Sequence, residues 1–225
     1  MRSLETLVIT YHNNLSDDFI DWLIKRRGLN NEIIDKHQLG LYNEHLCIPL
    51  YDSLNKCVGF KYRLGPREKD LYEKSSKYWH SPGCSAQLYG WEHIINPKSK
   101  LIICEGELDR LILETNGLPA VTSTAGAGTF KDEWIASINS LSSEILICYD
   151  NDEAGMAGAE KIAKCVPKGK IVWIPKIEGA KDATEFIMAK GLKEFNKLLD
   201  EAKDLKEIEL ETKFYERRIR KELFS

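Results

Sequence analysis

The chain has 225 residues and a formal net charge of −3, and hydrophobic residues make up 43% of it. This composition is typical of a soluble globular protein with one large domain or two small ones. No apolar run reaches the roughly 18 residues of a membrane-spanning helix, and the N-terminus lacks the pattern of a signal peptide. We therefore expect a cytoplasmic protein with no membrane partner. The net charge alone also argues against a generally basic, nucleic-acid-binding surface.

The first hundred residues predict a mixture of helices and strands. Residues 15–36 have the pattern of a helix, a turn at Gly28 and a second helix. Residues 45–52 and 56–64 alternate between apolar and polar side chains across a short turn, which predicts a β-hairpin. Residues 65–90 have the composition of a loop, with Gly, Pro, Ser and many charges.

After residue 100 the pattern changes to short apolar runs separated by helical segments. Because these runs are continuous rather than alternating, they are typical of strands covered on both faces. Their alternation with helices indicates βαβ units and a parallel sheet. A final amphipathic stretch predicts a helical tail. The apolar runs lie at 101–104, 118–123, 144–150 and 170–175, the helical patterns at about 108–116, 130–140 and 153–165, and the tail at 192 to about 220.

Acidic residues follow three of the predicted strands. Glu105 follows the first, Asp150 and Asp152 the third, and Asp182 the fourth. Because the carboxyl ends of parallel strands meet at one edge of the sheet, we expect these side chains to lie together. Carboxylate oxygens suit Mg²⁺ or Mn²⁺, and without cations such a group would raise the pKa of its members. The alternative for any one of these acids is that it only caps the helix that follows.

The six cysteines do not form a zinc-binding pattern. None is spaced as Cys-x-x-Cys, and no histidine lies at a zinc-ligand spacing. Cys104 and Cys148 lie inside apolar runs, where a free cysteine behaves as a small hydrophobic residue. We therefore expect reduced thiols and no zinc.

Ordered motifs surround the acids and extend into the N-terminal half. They are RGLNNEIIDKHQLGLY (27–42), IPLYDSLNKCVGFKYR (48–63), SSKYWHSPG (75–83), QLYGWEHI (87–94), EGELD (105–109), STAGAGTF (123–130), YDNDEAG (149–155) and KDATEF (181–186). As a set they resemble the RNA-polymerase core of DnaG-type bacterial and phage primases, with its TOPRIM domain. The resemblance covers about residues 20–190.

The chain departs from the family pattern at several places. His80 stands where Asn is usual, Cys84-Ser85-Ala86 replaces a His-Lys-Gly motif, and Thr184 stands where a second acid is common. A zinc-ribbon and a nucleoside-triphosphatase P-loop have no counterpart in this sequence. We therefore expect a separate zinc-ribbon template-recognition module and a replicative helicase as partners.

The resemblance implies an α/β fold in three parts: an α+β subdomain at 1–97, a TOPRIM parallel-sheet subdomain at 98–191 and a C-terminal helical segment at 192–225. It implies two or more Mg²⁺ or Mn²⁺ ions. It also assigns the acids, with Glu105, Asp150, Asp152 and Asp182 as metal ligands and Glu105, Asp109, Asp150 and Asp152 as catalytic residues. Glu105 would be a ligand or a general acid/base, and Asp109 would orient Glu105 or a metal-bound water.

A basic segment at 56–77 suits a polyanionic partner. It has seven basic against three acidic residues, and aromatic side chains are interleaved with them. This mixture is typical of backbone contact combined with base stacking, although a solvated loop has the same composition. With the resemblance, we expect contacts to nucleoside triphosphates and single-stranded DNA from Lys61, Arg63, Lys77 and Tyr78. The low net charge is then an average over this segment and the acidic edge.

These observations favour a primase core that makes short RNA primers on single-stranded DNA, from a phage or other mobile element. A second hypothesis is a TOPRIM nuclease or phosphodiesterase that uses the same acids to activate water. A third is a catalytically degenerate, primase-like DNA-binding module. The primase-like motifs at 45–90 favour the first.

Overall fold

The computed structural model describes residues 3–65, 78–126 and 129–223, with side chains as far as residue 214. Within these residues there are two β-sheets, one of four strands and one of five. Helices pack around both sheets. The predicted α/β class is therefore confirmed. Among the described residues, no helix is both long enough and apolar enough to cross a bilayer.

The N-terminal half forms the antiparallel sheet with three helices before it. The predicted helix–turn–helix is confirmed, and Gly28 ends its first helix in the left-handed region at φ 68°. The predicted hairpin is also confirmed, with Leu46 opposite Arg63. The first helix and the two outer strands were not predicted. The elements are α1 (Leu4–Asn13), α2 (Asp17–Arg27), α3 (Asn31–Lys36), β1 (Gly40–Tyr42), β2 (His45–Tyr51), β3 (Cys57–Leu64) and β4 (Tyr78–His80).

The C-terminal half forms the five-stranded sheet, in the order β5-β7-β6-β8-β9. β6, β7, β8 and β9 pair in parallel, as predicted, and β5 adds an antiparallel edge. The elements are β5 (Leu88–Tyr89), α4 (Glu92–Ile95), β6 (Lys100–Cys104), α5 (Glu107–Thr115), β7 (Ala120–Ser123), α6 (Asp132–Ser140), β8 (Glu144–Cys148), α7 (Glu153–Cys165), β9 (Gly169–Ile171), α8 (Ala183–Lys190), α9 (Leu192–Asp200) and α10 (Leu205–Leu223). β5 precedes residue 97, so this sheet takes a strand from the N-terminal side of the expected boundary.

The two sheets share a continuous apolar core. The largest buried cluster contains Phe19 and Leu23 of α2, Leu111 and Ile112 of α5, and Phe186 of α8. A second cluster lies between the five-stranded sheet and helices α6 and α7. Both faces of the parallel strands are therefore covered, which explains their continuous apolar sequences.

The C-terminal helical segment is interrupted. Its amphipathic pattern runs on to about residue 220, but α9 ends at Asp200 and α10 begins at Leu205. Between them, Lys203 exchanges two backbone hydrogen bonds with Ile171 of β9, at 2.7 and 3.2 Å. The chain thus leaves the helix to pair with the edge of the sheet.

Candidate metal and nucleotide site

Three carboxylates meet at the C-terminal edge of the parallel strands. Asp109 lies in the first turn of α5, Asp150 is the second residue after β8, and Asp182 immediately precedes α8. One carboxylate oxygen from each lies within 4.8 Å of the other two. The structure therefore brings together two of the acids expected to bind metal, Asp150 and Asp182, and Asp109, which was expected to orient Glu105 or a metal-bound water.

Burial makes these carboxyl groups difficult to ionise. Burial, followed by the charges of Asp182 and Asp150, raises the pKa of Asp109 to about 8. Burial also raises the pKa of Asp150 and that of Asp182, although the ammonium group of Lys181, 3.3 Å from Asp150, acts in the opposite direction. Such a group gains from a cation that neutralises it, so the donor set fits a divalent ion.

Glu105 and Asp152, the other two acids expected to bind metal, differ in exposure and in the hydrogen bonds they make. The Glu105 carboxylate accepts a hydrogen bond from the backbone N–H of Asp150, at 3.3 Å. Burial and the charge of Asp150 raise the pKa of Glu105. The exposed Asp152 instead caps α7, where its Oδ1 accepts from the N–H of Gly155 at 2.9 Å. Glu105 is thus next to the three-carboxylate cluster. Asp152 caps α7, as Asp182 of the cluster caps α8 by accepting from the N–H of Glu185 at 2.7 Å.

Gly155 allows α7 to approach the strand end that carries Asp150. A Cβ atom on Gly155 would lie 2.2 Å from the carbonyl oxygen of Asp150. Real Cβ atoms do not tolerate such a distance, so another residue at this position would displace the loop. The glycine in YDNDEAG therefore has a steric role beside the site.

Two arginines and two aromatic rings lie beside the carboxylates. Arg63 is buried, and its Nε donates to the hydroxyl of Tyr78 at 3.0 Å. The guanidinium groups of Arg27 and Arg63 lie 5.0 and 5.5 Å from the ring centre of Trp22. These distances are typical of cation–π contacts. The predicted contacts Arg63 and Tyr78 are therefore adjacent, whereas Lys77 lies outside the described residues.

Arg27 was not among the predicted site residues. Burial and the charge of Arg63 lower its pKa, while Tyr78, Asp182 and Asp109 act in the opposite direction. Its Nε is buried and has no hydrogen-bond partner among the residues that the structure describes. A signal was available, since Arg27 opens the motif at 27–42.

Lys61 is turned toward protein groups. Its ammonium group pairs with the Glu107 carboxylate at 2.6 Å and reaches the carbonyl of Thr124 at 3.0 Å. His80 contacts the same carbonyl oxygen at 3.1 Å. Sequence reasoning did not single out Glu107, because nothing in the sequence indicates that it faces Lys61.

A second group of potential ligands is already filled by an arginine. His37, Glu92 and Glu114 each offer an atom within 4.8 Å of the others. The fully buried Arg110 pairs with Glu92, and its Nη1 lies 2.8 Å from His37 and 2.6 Å from Glu114. Its guanidinium supplies the positive charge there, so we assign this group a structural role.

Comparison with known proteins relates the sequence to primases. Residues 102–187 match the Toprim-like family model. The DNA primase of Borreliella burgdorferi is 27% identical over 198 residues, which cover 80% of this chain and 36% of that protein. The DNA primase of Helicobacter pylori strain J99 is 30% identical over 177 residues, which cover 68% of this chain and 30% of that protein. The chain spans about a third of the length of the curated relatives it matches.

Solved structures agree with this relationship. A DNA primase domain from Pseudomonas aeruginosa superposes with a TM-score of 0.76 at 20% identity, covering 95% of this chain and 82% of that one. The DnaG primase catalytic domain bound to ssDNA gives 0.70 at 19% identity, covering 89% and 80%. The primase fragment of the bacteriophage T7 primase-helicase gives 0.59 at 22% identity, covering 77% and 71%. The chain therefore contains a Toprim-like domain and has the fold of a DnaG-type primase catalytic core.

Proposed function

We propose that this chain is the catalytic core of a DNA primase, which joins ribonucleotides into short RNA primers on single-stranded DNA. The observation that carries the proposal is the cluster of Asp109, Asp150 and Asp182 beside the half-buried Arg27 and the buried Arg63. Carboxylates that hold cations, next to arginines that bind phosphate, are what nucleotidyl transfer from a triphosphate requires.

The three clustered carboxylates would hold Mg²⁺ or Mn²⁺, with Glu105 as a further ligand or as the acid/base. Bound divalent ions neutralise triphosphate charge and lower the pKa of the attacking 3′-hydroxyl. Glu105 lies beside Asp150, and burial raises its pKa, which makes its carboxylate a stronger proton acceptor than an exposed one. Asp152 stays a candidate ligand through its second carboxylate oxygen, because capping α7 uses Oδ1.

The arginines would contact phosphate groups of the nucleotide or template. The guanidinium groups of Arg27 and Arg63 lie over the rings of Trp22 and Tyr78, 5.0 to 5.7 Å from the ring centres. A guanidinium can make a cation–π contact and still offer N–H groups for bidentate contact with an anion. The free buried Nε of Arg27 is one such donor within the described chain.

The proposed binding partners rest on the similarity to solved primase structures. The similarity to a DnaG domain solved with ssDNA supports a single-stranded template. The similarity to the primase fragment of the T7 primase-helicase supports a replicative helicase partner. A separate zinc-ribbon module and an origin in a phage or mobile element stay predictions from the sequence.

A primer-synthesis assay tests the proposal. The chain is incubated with single-stranded DNA, labelled ribonucleotides and Mg²⁺ or Mn²⁺, beside Asp150→Asn and the control Asp132→Asn. Asp132 is also a first-turn acid, but it is exposed on α6. We expect short RNA from the wild type and from the control, and none from Asp150→Asn. DNA fragments instead of RNA would support the nuclease hypothesis, and DNA binding without any product would support the degenerate module.

A further inference from the structure

Lys61 and Glu107 form an ion pair that joins the four-stranded sheet to helix α5. Lys61 lies in the middle of β3, and Glu107 is the first residue of α5. The lysine Nζ donates to both carboxylate oxygens of Glu107, at 2.6 and 2.8 Å. Only 8% and 2% of the two residues is exposed. Because charges are costly to bury alone, each of these groups depends on the other.

The ammonium group of Lys61 is fully used by protein acceptors. It carries three N–H groups, which match the two oxygens of Glu107 and the carbonyl of Thr124 at 3.0 Å. His80, opposite Lys61 in β4, contacts the same carbonyl. Strands β3 and β4 therefore hold both the start of α5 and the start of the loop that follows β7.

Glu107 begins α5 and lies in sequence between two candidate site acids, Glu105 in the turn after β6 and Asp109 in the first turn of α5. A shift of Glu107 therefore moves both neighbours. Asp109 is held from the other side by the backbone N–H and the hydroxyl of Thr184, at 3.1 and 2.6 Å. The first turn of α5 is thus fixed between β3 on one side and α8 on the other.

Lys61 also belongs to the row of side chains that includes Tyr78 and Arg63. Its Nζ lies 5.0 Å from the centre of the Tyr78 ring, and Arg63 donates to the Tyr78 hydroxyl. The bond from Lys61 to Glu107 therefore links this row to α5, the helix that carries Asp109.

We propose that Lys61 and Glu107 are positioning residues whose buried ion pair fixes α5, with Glu105 and Asp109, relative to the sheet that carries Arg63 and Tyr78. Lys61 then acts through Glu107 rather than by contact with phosphate. The part of this proposal that concerns catalysis rests on the proposed function. The part that concerns cation binding does not.

A double-mutant cycle tests the proposal in the full chain, with Lys61→Met, Glu107→Gln and the double variant. Mn²⁺ affinity is measured by electron paramagnetic resonance, and single-stranded DNA affinity by fluorescence anisotropy over a range of salt concentrations. We expect each single change to weaken Mn²⁺ binding about 10-fold, as loss of groups that support metal ligands does. The double variant should be no weaker than either single one. The control is Lys197→Met, which breaks an exposed bidentate pair with Glu194.

The salt dependence separates positioning from direct contact. Loss of one phosphate contact would reduce the slope of log affinity against log salt by about 0.7 for a single strand. We expect Lys61→Met to leave that slope unchanged. A reduced slope for Lys61→Met, with Mn²⁺ affinity unchanged in Glu107→Gln, would overturn the proposal, as would single effects on Mn²⁺ binding that simply add.

Two further measurements keep the test decisive. Lys61→Gln/Glu107→Gln replaces the ion pair by a neutral amide hydrogen bond, so it serves if Lys61→Met fails to fold. We expect its Mn²⁺ affinity to lie closer to wild type than that of Glu107→Gln, and a lower affinity would count against positioning. RNA synthesis is assayed in parallel. A wild type that makes no RNA but shows the coupled Mn²⁺ effect rejects the primase reaction and retains the positioning role.

Discussion

Asp109 and Thr184 are joined by two hydrogen bonds, in which the N–H and the hydroxyl of Thr184 both donate to Oδ1 of Asp109. The resemblance to primases predicts that an acid is common at the position of Thr184. A hydroxyl there supplies a donor to the carboxylate cluster in place of a further negative charge. It therefore lowers the cost of ionising Asp109, which is buried and close to Asp150 and Asp182.

Replacing Thr184 by Val tests this relationship. Loss of the hydroxyl should raise the pKa of Asp109 further, weaken Mn²⁺ binding at pH 7 and restore it toward pH 9. The lost hydrogen bond should also cost about 1 kcal/mol of unfolding free energy. Titration with Mn²⁺ at both pH values and urea denaturation measure these effects. Thr184→Ser keeps the hydroxyl and should behave as wild type, and equal Mn²⁺ affinity of Thr184→Val and wild type at pH 7 would contradict the prediction.

Asp109→Asn should stabilise the metal-free chain at neutral pH. The pKa of Asp109 is raised from its ordinary value of 3.8 to about 8 in the folded state. Below pH 3.8 the group is protonated in both states. Between these values the unfolded chain releases the proton and the folded chain retains it, so wild-type stability falls as the pH rises. The asparagine oxygen still accepts from Thr184 but has no proton to lose.

The melting temperature of Asp109→Asn should therefore exceed that of the wild type by an amount that grows from pH 4 to pH 8. Each kcal/mol corresponds to about 2–4 °C at this chain length. Calorimetric scans in a chelating buffer give the comparison. A difference that stays constant with pH would show that the Asp109 carboxyl does not titrate in this range.

Cation binding should release protons. Metal ligation requires ionised carboxylates, so Mg²⁺ or Mn²⁺ must displace the proton that Asp109 holds at pH 7. Calorimetric titrations in two buffers of different ionisation enthalpy should show a release near one proton at pH 7 and less at pH 9. The release should be smaller for Asp109→Asn, and pH-independent affinity in the wild type would exclude Asp109 from the site.

Gly155→Ala should disrupt the site by displacing the loop that carries Asp150. The added methyl group would lie 2.2 Å from the Asp150 carbonyl oxygen, so either α7 or the Asp150 loop must move. We expect weaker Mn²⁺ binding and a loss of about 1–3 kcal/mol of stability, as in other overpacked sites. Ala157→Ser, an exposed change on the same helix, should leave Mn²⁺ affinity and urea midpoint unchanged. Wild-type Mn²⁺ affinity in Gly155→Ala would show that Asp150 does not depend on this close approach.

The sequence predicted the sheet and its acidic edge because both can be identified from residues that are neighbours along the chain. Continuous apolar runs indicated buried parallel strands, and Glu105, Asp150 and Asp182 follow three of them. The direction of a side chain at a helix start depends on the geometry of the preceding turn, which residue spacing does not specify. For this reason the sequence did not distinguish Asp152, which caps α7, from Asp109, which joins the cluster.

Contacts between the sheets had no sequence signal of this kind. Lys61 of β3 and Glu107 of α5 are 46 positions apart, and each is polar in a segment where an exposed side chain would be unremarkable. Their pairing depends on how the halves pack, as does the approach of Arg27 to the acids. The composition of the segment at 56–77 therefore indicated a polyanion-binding surface, but not that Lys61 is directed inward.

The backbone pairing of Lys203 with Ile171 bears on how the protein can be shortened for experiments. β9 is an edge strand, and an open edge is a template for pairing with another molecule. Lys203 supplies part of the missing neighbour to that strand. A recombinant version cut before residue 203, although it would retain every candidate site residue, would leave this edge open and become prone to self-association. Versions intended for crystallisation or kinetics should therefore extend at least through the start of α10.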